Sequence, residues 1–447
     1  MPVFSKNDII ELEYGGSAKI IGDKPLGSGG QGEVYRVQYD NKQYALKWYT
    51  ADKIRKNISE FKKNIDSNIS DGPPSSSFLW PKYITKVKNG SFGYLMDLMP
   101  SNLESFSSIL LTYRIDKSNP KKPVKVPVRF SSLDTIVLSA LHIVKAFREL
   151  HRQGKSYQDM NDGGFFFDTK TGDVLVCDCD NIAPDRKNFG IGGKPGYMAP
   201  EIVTRTGRPN VDSDKFSLAV ILFRLFMRGD PLEGKKVLES CSLTGEAELK
   251  HYGTEPVFVF DPNDASNRPV RGVHENVIRM WDVYPDYIKN AFIQTFTEGM
   301  HNPSKRVIDN EWFKLLVRMR SEIVSCSCGR PAIFASPYLK GSKYVCSRCK
   351  SEYPTLRIGN NLIVLNEGTK LYSIQIDKDS EDFETVAGKV SENKKQPGLF
   401  GLKNLENKTW SVTYPDGTDK NISTNGGAPL VVGMKIDFGK GIIGQIE

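Results

Sequence analysis

The sequence contains no hydrophobic run long enough to cross a membrane, and its first residues lack the apolar core of a signal peptide. It has only seven cysteines among 447 residues, and this odd number argues against a framework of disulfide bonds. These absences predict a cytoplasmic protein with reduced thiols and no membrane partner. The length is sufficient for two or three domains, each with a core of its own.

Acidic residues are scarce in the segment 113–130, which carries much of the net charge of +8. The charged residues of this segment are Arg114, Asp116, Lys117, Lys121, Lys122, Lys125 and Arg129. Prolines interleave with them, which is typical of an extended surface insertion. We interpret the segment as a solvated loop; the alternative is a contact with an acidic partner or with nucleic acid.

Glycines at G-x-G-x-x-G spacing form the most informative motif of the chain. The motif and its neighbours are Gly27, Ser28, Gly29, Gly30, Gln31, Gly32 and Val34. Because glycine has no Cβ, such a turn lets the backbone approach a triphosphate. Strand-like patterns flank the turn, and a third strand-like segment, 44–49, contains Ala45 and Lys47. A glycine-rich turn beside a surface lysine is the alternative interpretation.

This order resembles the N-lobe of a protein kinase, in which the lysine holds the ATP phosphates. The resemblance implies that Glu60, in the helix-compatible stretch 51–69 that follows, pairs with Lys47 and orients it. A solvated glutamate on a helix face is the alternative. The resemblance also implies a hinge that binds adenine, with Met96 at the gatekeeper position and the backbone from Asp97 to Met99 at the adenine edge.

Aspartates follow at the positions where a kinase carries them. Asp159 matches the H-R-D aspartate that accepts the substrate hydroxyl proton, and Asp178 matches the D-F-G aspartate that ligates magnesium or manganese. Asp214 resembles the residue that braces the catalytic loop, and Arg306 is placed to pair with Glu201 of an A-P-E motif. Together these motifs predict a kinase C-lobe after the N-lobe.

Several positions depart from the kinase pattern. Tyr157 and Gln158 replace the His-Arg of H-R-D, so control through activation-loop phosphate is not expected. The residues that replace the catalytic-loop lysine, the activation-segment threonine and the second magnesium ligand are Asn161, Lys194 and Gly164. Asp180 replaces the D-F-G glycine, and we expect its carboxylate to compensate as a metal ligand.

A narrower resemblance is to bacterial stress-response serine/threonine kinases encoded in tellurite-resistance-type operons. It rests on the motifs at 78–81, 165–168, 178–181 and 258–262. It covers essentially the whole chain and implies serine/threonine specificity. It also implies two partners, a metal-dependent protein phosphatase and a von Willebrand A-domain protein.

Four of the cysteines form a C-x-C and a C-x-x-C pair. They are Cys326, Cys328, Cys346 and Cys349. Four thiolates from two turns suit tetrahedral zinc and resemble a zinc ribbon, whereas free surface thiols are the alternative. Four ligands leave no position open, so we expect the zinc to be structural.

Alternating apolar residues dominate the tail, which predicts a β-sandwich. Motifs around Gly401, Trp410 and Gly433 resemble a forkhead-associated domain. The tail has no histidine, so the Ser-x-x-His element of that family is missing. We therefore interpret the tail as a protein-docking module rather than a phosphothreonine-binding one.

The sequence predicts an α+β protein, in which a two-lobed protein kinase fold precedes a zinc ribbon and a β-sandwich. The expected bounds are 1–97 for the N-lobe, 98–322 for the C-lobe, 323–354 for the ribbon and 355–447 for the sandwich. The expected function is transfer of the ATP γ-phosphate to a protein serine or threonine in a bacterial stress or defence system. A pseudokinase scaffold is the alternative. A nucleic-acid-binding ribbon protein is disfavoured, because aromatic and basic residues do not interleave around the cysteines.

Overall fold

The computed structural model describes residues 3–50, 57–116, 123–190, 192–239, 244–393, 395–396 and 398–447. The chain divides into two compact units. Unit one consists of Met1–Ser131, His142–Met280 and Ala291–Asn310, and unit two consists of Ser132–Leu141, Trp281–Asn290 and Glu311–Glu447. Three lysines of the basic segment, Lys117, Lys121 and Lys122, lie outside the described residues. In the stretches that are described, none of the helices combines the length and the hydropathy needed to cross a membrane.

An antiparallel seven-stranded sheet begins unit one. Its strands are Ile9–Glu11, Ser17–Ile20, Gly27–Ser28, Gly32–Tyr39, Lys42–Tyr49, Pro81–Ile84 and Gly93–Met96. Alternating side chains such as Tyr35 and Val37 are buried in one hydrophobic cluster of this sheet. The helix Ile58–Asp71 contributes Phe61 and Ile65 to a second cluster with residues of the sheet.

Most of the described α-helices lie between residues 98 and 321. The α-helices are Phe106–Leu111, Leu133–Arg152, Pro200–Val203, Val211–Met227, Lys235–Leu238, Gly245–Leu249, Glu275–Trp281, Asp286–Phe296, Glu298–His301 and Asp309–Ser321. The short strands are Glu104–Ser105, Tyr113–Asp116, Val124–Pro127, Lys155–Ser156, Phe165–Phe167, Val174–Val176 and Ala183–Pro184. A curled sheet followed by helices makes a mixed α+β arrangement that is consistent with a kinase-like fold.

Unit two contains short strands around the cysteines and two antiparallel sheets in the tail. The strands near the cysteines are Ile323–Val324, Ile333–Phe334, Leu339–Lys340, Lys343–Val345 and Glu352–Tyr353. The six-stranded sheet has the order Asn361–Val364, Thr355–Ile358, Ile443–Ile446, Lys435–Asp437, Trp410–Thr413, Asp419–Ile422. The four-stranded sheet has the order Lys370–Tyr372, Val386–Glu392, Phe400–Asn404, Gly427–Pro429. Leu356, Val390 and Trp410 are among the side chains of the two sheets that share one hydrophobic cluster.

Candidate active site

The glycine-rich turn joins two antiparallel strands of the first sheet. A Cβ on Gly32 would lie 2.0 Å from the carbonyl oxygen of Trp48, because the neighbouring strand passes there. A Cβ on Gly29 or Gly30 would meet nothing within 4 Å. Gly32 is therefore required by strand packing, whereas the other two glycines border open space.

A cavity of about 980 Å³ adjoins this turn. Its lining includes Asp159 and every residue that the sequence suggested for nucleotide binding, namely Gly27, Ser28, Gly29, Gly30, Gln31, Gly32, Val34, Ala45, Lys47, Met96, Asp97, Met99 and Asp178. Leu98, within the expected hinge 97–99, also lines the cavity, and the lining residues that the sequence did not suggest are Leu26, Arg36, Leu79, Ser101, Gly163, Phe166, Cys177 and Asn181. Such residues come from separate segments, and only folding brings them together.

Lys47 lies on the strand Lys42–Tyr49, and its side chain is nearly buried. Its Nζ lies 2.8 Å from Oδ1 of Asp180 and 3.1 Å from Oδ1 of Asp178. Burial opposes a charge on the amine, but the two carboxylates outweigh burial and raise the pKa of Lys47. The amine is therefore held protonated at the cavity wall.

Although both residues are described, the expected ion pair between Lys47 and Glu60 is not formed. The helix begins at Ile58 after an Asn57 cap, so Glu60 falls in its exposed first turn. The backbone N–H of Glu60 donates a hydrogen bond of 3.3 Å to the Asn57 side chain. The side chains that this helix buries are Phe61, Asn64, Ile65 and Asn68, and none of them is acidic.

The contacts of Asp180 also differ from those expected of a metal ligand. Its side chain is fully buried, and its carboxylate accepts hydrogen bonds from Lys47, from the Tyr49 hydroxyl at 2.5 Å and from the Tyr94 hydroxyl at 3.1 Å. These donors use both oxygens, and Asp180 is absent from the cavity lining in the described part of the chain. A metal ligand must turn an oxygen lone pair toward the ion, so this geometry does not support a metal at Asp180.

Asp159 and Asp178 both line the cavity. The Asp159 carboxylate accepts hydrogen bonds from the amides of Asn161 at 3.1 Å and Asn181 at 3.4 Å. Burial raises the pKa of Asp159 to about 6, although the Asn161 amide opposes this shift. Such a carboxylate is suited to accept a proton near neutral pH. Asp178 has a left-handed backbone with φ of 53°, and its side chain is about half exposed.

Two expected contacts that brace this site are confirmed. The Asp214 carboxylate accepts hydrogen bonds from the backbone N–H groups of Tyr157, at 2.5 Å, and Gln158, at 3.0 Å. Arg306 donates two hydrogen bonds of 2.8 Å to the carboxylate of Glu201. Charge-assisted bonds of this kind fix the backbone at Tyr157 and Gln158 and the helix Pro200–Val203 that contains Glu201.

The residues that depart from the kinase pattern make contacts of their own. Gln158 donates to the backbone carbonyl of Lys187 and accepts a hydrogen bond of 3.1 Å from Asn188, so neutral amide contacts hold the segment after the strand Ala183–Pro184. The Tyr157 hydroxyl donates to a backbone carbonyl and lies 2.9 Å from where a Cβ on residue 164 would be. Tyrosine at 157 therefore disfavours a side chain at position 164.

The four clustered cysteines of unit two bring their sulfur atoms within 4.8 Å of one another. The Cys326–Cys349 and Cys328–Cys346 sulfur pairs are 3.5 Å and 3.8 Å apart. A tetrahedral site with Zn–S bonds of about 2.3 Å places sulfurs roughly 3.8 Å apart, so the cluster is compatible with zinc. Hydrogen bonds from the backbone of Cys349 and Arg348 lower the pKa of the Cys346 thiol to about 6, which favours the thiolate that zinc binds. Although a hydrogen bond from the Arg330 backbone opposes the shift, burial and the neighbouring thiols raise the pKa of the Cys328 thiol to about 11.

No protein-family model matches the chain. Local similarity to serine/threonine protein kinases is nevertheless found. The chain is 29% identical over 108 residues to ribosomal protein S6 kinase alpha-6 of Danio rerio, a match that covers 23% of this chain and 14% of the relative. It is 27% identical over 114 residues to CBL-interacting serine/threonine-protein kinase 15 of Arabidopsis thaliana, with 24% of this chain and 27% of the relative covered.

A third relative is serine/threonine-protein kinase PLK4 of Nematostella vectensis, to which the chain is 30% identical over 101 residues. That match covers 22% of this chain and 10% of the relative. The chain therefore matches from a tenth to about a quarter of the length of these curated relatives. This weak local homology supports a protein kinase.

Proposed function

We propose that this chain is an ATP-dependent serine/threonine protein kinase that acts in the cytoplasm, in a bacterial stress or defence system. The observation that carries the proposal is the convergence of Lys47, Asp159 and Asp178 on one glycine-bordered cavity. Phosphoryl transfer requires a cation for the phosphates, a carboxylate for the hydroxyl proton and a carboxylate for the metal. The local similarity to serine/threonine kinases supports the same class of reaction.

ATP and Mg²⁺ or Mn²⁺, when bound, supply the γ-phosphoryl group and the positive charge that offsets its oxygens. Lys47 binds the α- and β-phosphates, Asp178 binds the metal, and the backbone of 97–99 binds the adenine edge. Asp159 accepts the proton of the substrate hydroxyl. The Asn161 and Asn181 amides hold the Asp159 carboxylate in place and thereby orient it.

Two substitutions separate the roles of the aspartates. Asp178→Ala should abolish the rise in melting temperature that Mg²⁺-ATP produces, because it removes the metal ligand. Asp159→Ala should preserve that rise and abolish phosphate transfer, because it removes only the base. An equal rise for both variants would refute the assignment of Asp178.

A pseudokinase scaffold is the second candidate, and the contact between Tyr157 and Gly164 favours it. The Tyr157 hydroxyl lies next to the position from which a kinase asparagine would reach the second metal, so the site has one ligand fewer. A parent protein that binds nucleotide and transfers no phosphate with either Mg²⁺ or Mn²⁺ would support this candidate.

We further propose a structural zinc ion on the four cysteines of a ribbon, 323–354, and a forkhead-associated-like sandwich, 355–447, that docks proteins. The sulfur distances support the zinc, and the shared core of the two sheets supports the sandwich. The proposed partners, besides a protein substrate, are a metal-dependent phosphatase and a von Willebrand A-domain protein. Co-purification of either one with the full chain tests this part of the proposal.

A further inference from the structure

The helix that follows the lysine strand has no carboxylate on its buried face. The buried residues of the helix Ile58–Asp71 are Phe61, Asn64, Ile65 and Asn68. They follow the i, i+3, i+4, i+7 spacing of one helix face. An acid that orients Lys47 must therefore come from another segment, since Glu60 lies on the exposed first turn.

Asp180 supplies that carboxylate from the turn after the strand Val174–Val176. Its Oδ1 lies 2.8 Å from Nζ of Lys47 and 3.1 Å from the Tyr94 hydroxyl. Its Oδ2 lies 3.0 Å from the same Nζ and 2.5 Å from the Tyr49 hydroxyl. Donors on both oxygens fix the direction of the carboxylate, and a buried carboxylate without such donors would be strongly disfavoured.

The helix is coupled to this turn through two side-chain amides. Asn64 Nδ2 and Asn68 Nδ2 donate hydrogen bonds of 2.8 Å and 2.9 Å to the backbone carbonyl of Ile182. Ile182 follows Asp180 by two residues. The helix therefore contacts the turn that carries Asp180 through these amides, and it also packs against the sheet that carries Lys47 through Phe61 and Ile65.

We propose that Asp180 is the positioning residue of the catalytic lysine, and that it replaces the helix glutamate on which a kinase ordinarily depends. This inference rests on the proposed function. Asp178, whose side chain is about half exposed and pairs with Lys47 through Oδ1 alone, can then bind the metal, while Lys47 keeps Asp180 as a second carboxylate. Because Asp180 lies on the same turn as Asp178, the lysine and the metal ligand are positioned together.

The first experiment needs no nucleotide. Lys47 is acylated in the free full-length protein with an amine-reactive ester, and the extent is read at that residue by mass spectrometry. Asp180→Asn removes the carboxylate that holds Lys47 Nζ at 2.8 Å, so the amine should become more accessible to the ester and acylation of Lys47 should rise several-fold. Glu60→Gln should leave acylation unchanged. Unchanged acylation in Asp180→Asn, or a rise in Glu60→Gln alone, would overturn the proposal.

The second experiment separates positioning from a general structural role. Asp180→Asn should weaken ATP and ADP binding about tenfold and leave adenosine binding unchanged, because only the phosphates contact Lys47. An equal loss for all three ligands would show a structural effect and overturn the proposal. If Asp180→Asn fails to fold, Tyr49→Phe serves instead, because it keeps the ring and removes one hydrogen-bond donor to Asp180. Acylation of Lys47 should then rise and ATP affinity should fall, both to a smaller extent than in Asp180→Asn. No change in either quantity would also overturn the proposal.

The two experiments also distinguish this inference from the proposed function. A parent protein that transfers no phosphate would refute the kinase activity, yet Lys47 acylation would still report whether Asp180 holds the lysine. Transfer by the parent together with unaltered acylation in Asp180→Asn would leave the kinase activity standing and refute the positioning role.

Discussion

The carboxyl group of Asp159 is buried enough to change its affinity for a proton. Its pKa is raised to about 6, and a general base must be unprotonated to act. Below pH 6, kcat/KM should therefore fall about tenfold for each unit of pH, and above about pH 7 it should be constant. Nucleotide affinity measured over the same range separates binding from transfer. A kcat/KM that does not change between about pH 5 and pH 7 would contradict the role of Asp159.

The contact between Tyr157 and Gly164 makes a second prediction at the residue scale. Gly164→Ala should lower the free energy of unfolding by about 1–3 kcal/mol, because its Cβ meets a fully buried tyrosine hydroxyl. In a Tyr157→Phe background the hydroxyl is absent, so Gly164→Ala should lower the free energy of unfolding by less. A double-mutant cycle in denaturant measures the difference. Equal costs in the two backgrounds would argue against the contact.

Local motifs account for the site residues that are predictable from the sequence. Lys47, Asp159 and Asp178 each stand in a short pattern whose spacing identifies them before the fold is known. The partner of Lys47 is not predictable in this way, because it depends on which helix residues face inward and on the burial of Asp180. Neither property is set by the spacing of the motif.

The glycine-rich turn makes a prediction at the scale of an element. Gly32→Ala should lower the melting temperature of the nucleotide-free protein, because the new Cβ would lie 2.0 Å from a backbone oxygen of the neighbouring strand. Gly30→Ala, the matched control, has open space around its Cβ and should leave that temperature unchanged. We expect Gly30→Ala to weaken ATP binding instead, since the backbone there approaches the phosphates. If the two variants melt at the same temperature, the claim that strand packing requires Gly32 but not Gly30 is refuted.

The helix Ile58–Asp71 shows how far sequence patterns reach for an element. A helix was predictable here, but its expected start at 51 falls on residues outside the described ones, and the described helix begins at Ile58. The Asn57 cap places Glu60 in the exposed first turn. The spacing of Phe61, Ile65 and the two asparagines already marks the buried face. The role of the Asn64 and Asn68 amides is not predictable from the sequence, because the group that they bind, a backbone carbonyl, leaves no signal there.

At the scale of the whole molecule, the cysteine cluster predicts one zinc ion for each chain. Forming a structural zinc site contributes roughly 10–16 kcal/mol, which is more than a short segment gains by burying apolar surface. Cys346→Ser should therefore lose the zinc and unfold the segment 323–354, whereas Ser347→Ala should retain both. Elemental analysis measures the zinc, and ATP binding should persist in both variants. Protein purified without chelators that contains no zinc would contradict the site.

Long-range organisation was the least accessible to prediction. Alternating apolar residues predicted a tail rich in strands, and the two sheets found there share one hydrophobic cluster. The membership of 132–141 and 281–290 in the same unit as 311–447 has no counterpart in any local pattern. It depends on contacts between segments far apart in the sequence. The expected domain boundaries after 97, 322 and 354 stay predictions.

Transfer of labelled γ-phosphate from ATP to a protein serine or threonine tests the kinase activity most directly. The full chain, incubated with ATP and either Mg²⁺ or Mn²⁺, should incorporate label at hydroxyl residues that mass spectrometry locates. Asp159→Asn should reduce incorporation by about 10²-fold or more and keep the rise in melting temperature with nucleotide. Parent protein that binds ATP and transfers no label with either metal, or an Asp159→Asn variant as active as the parent, would contradict it.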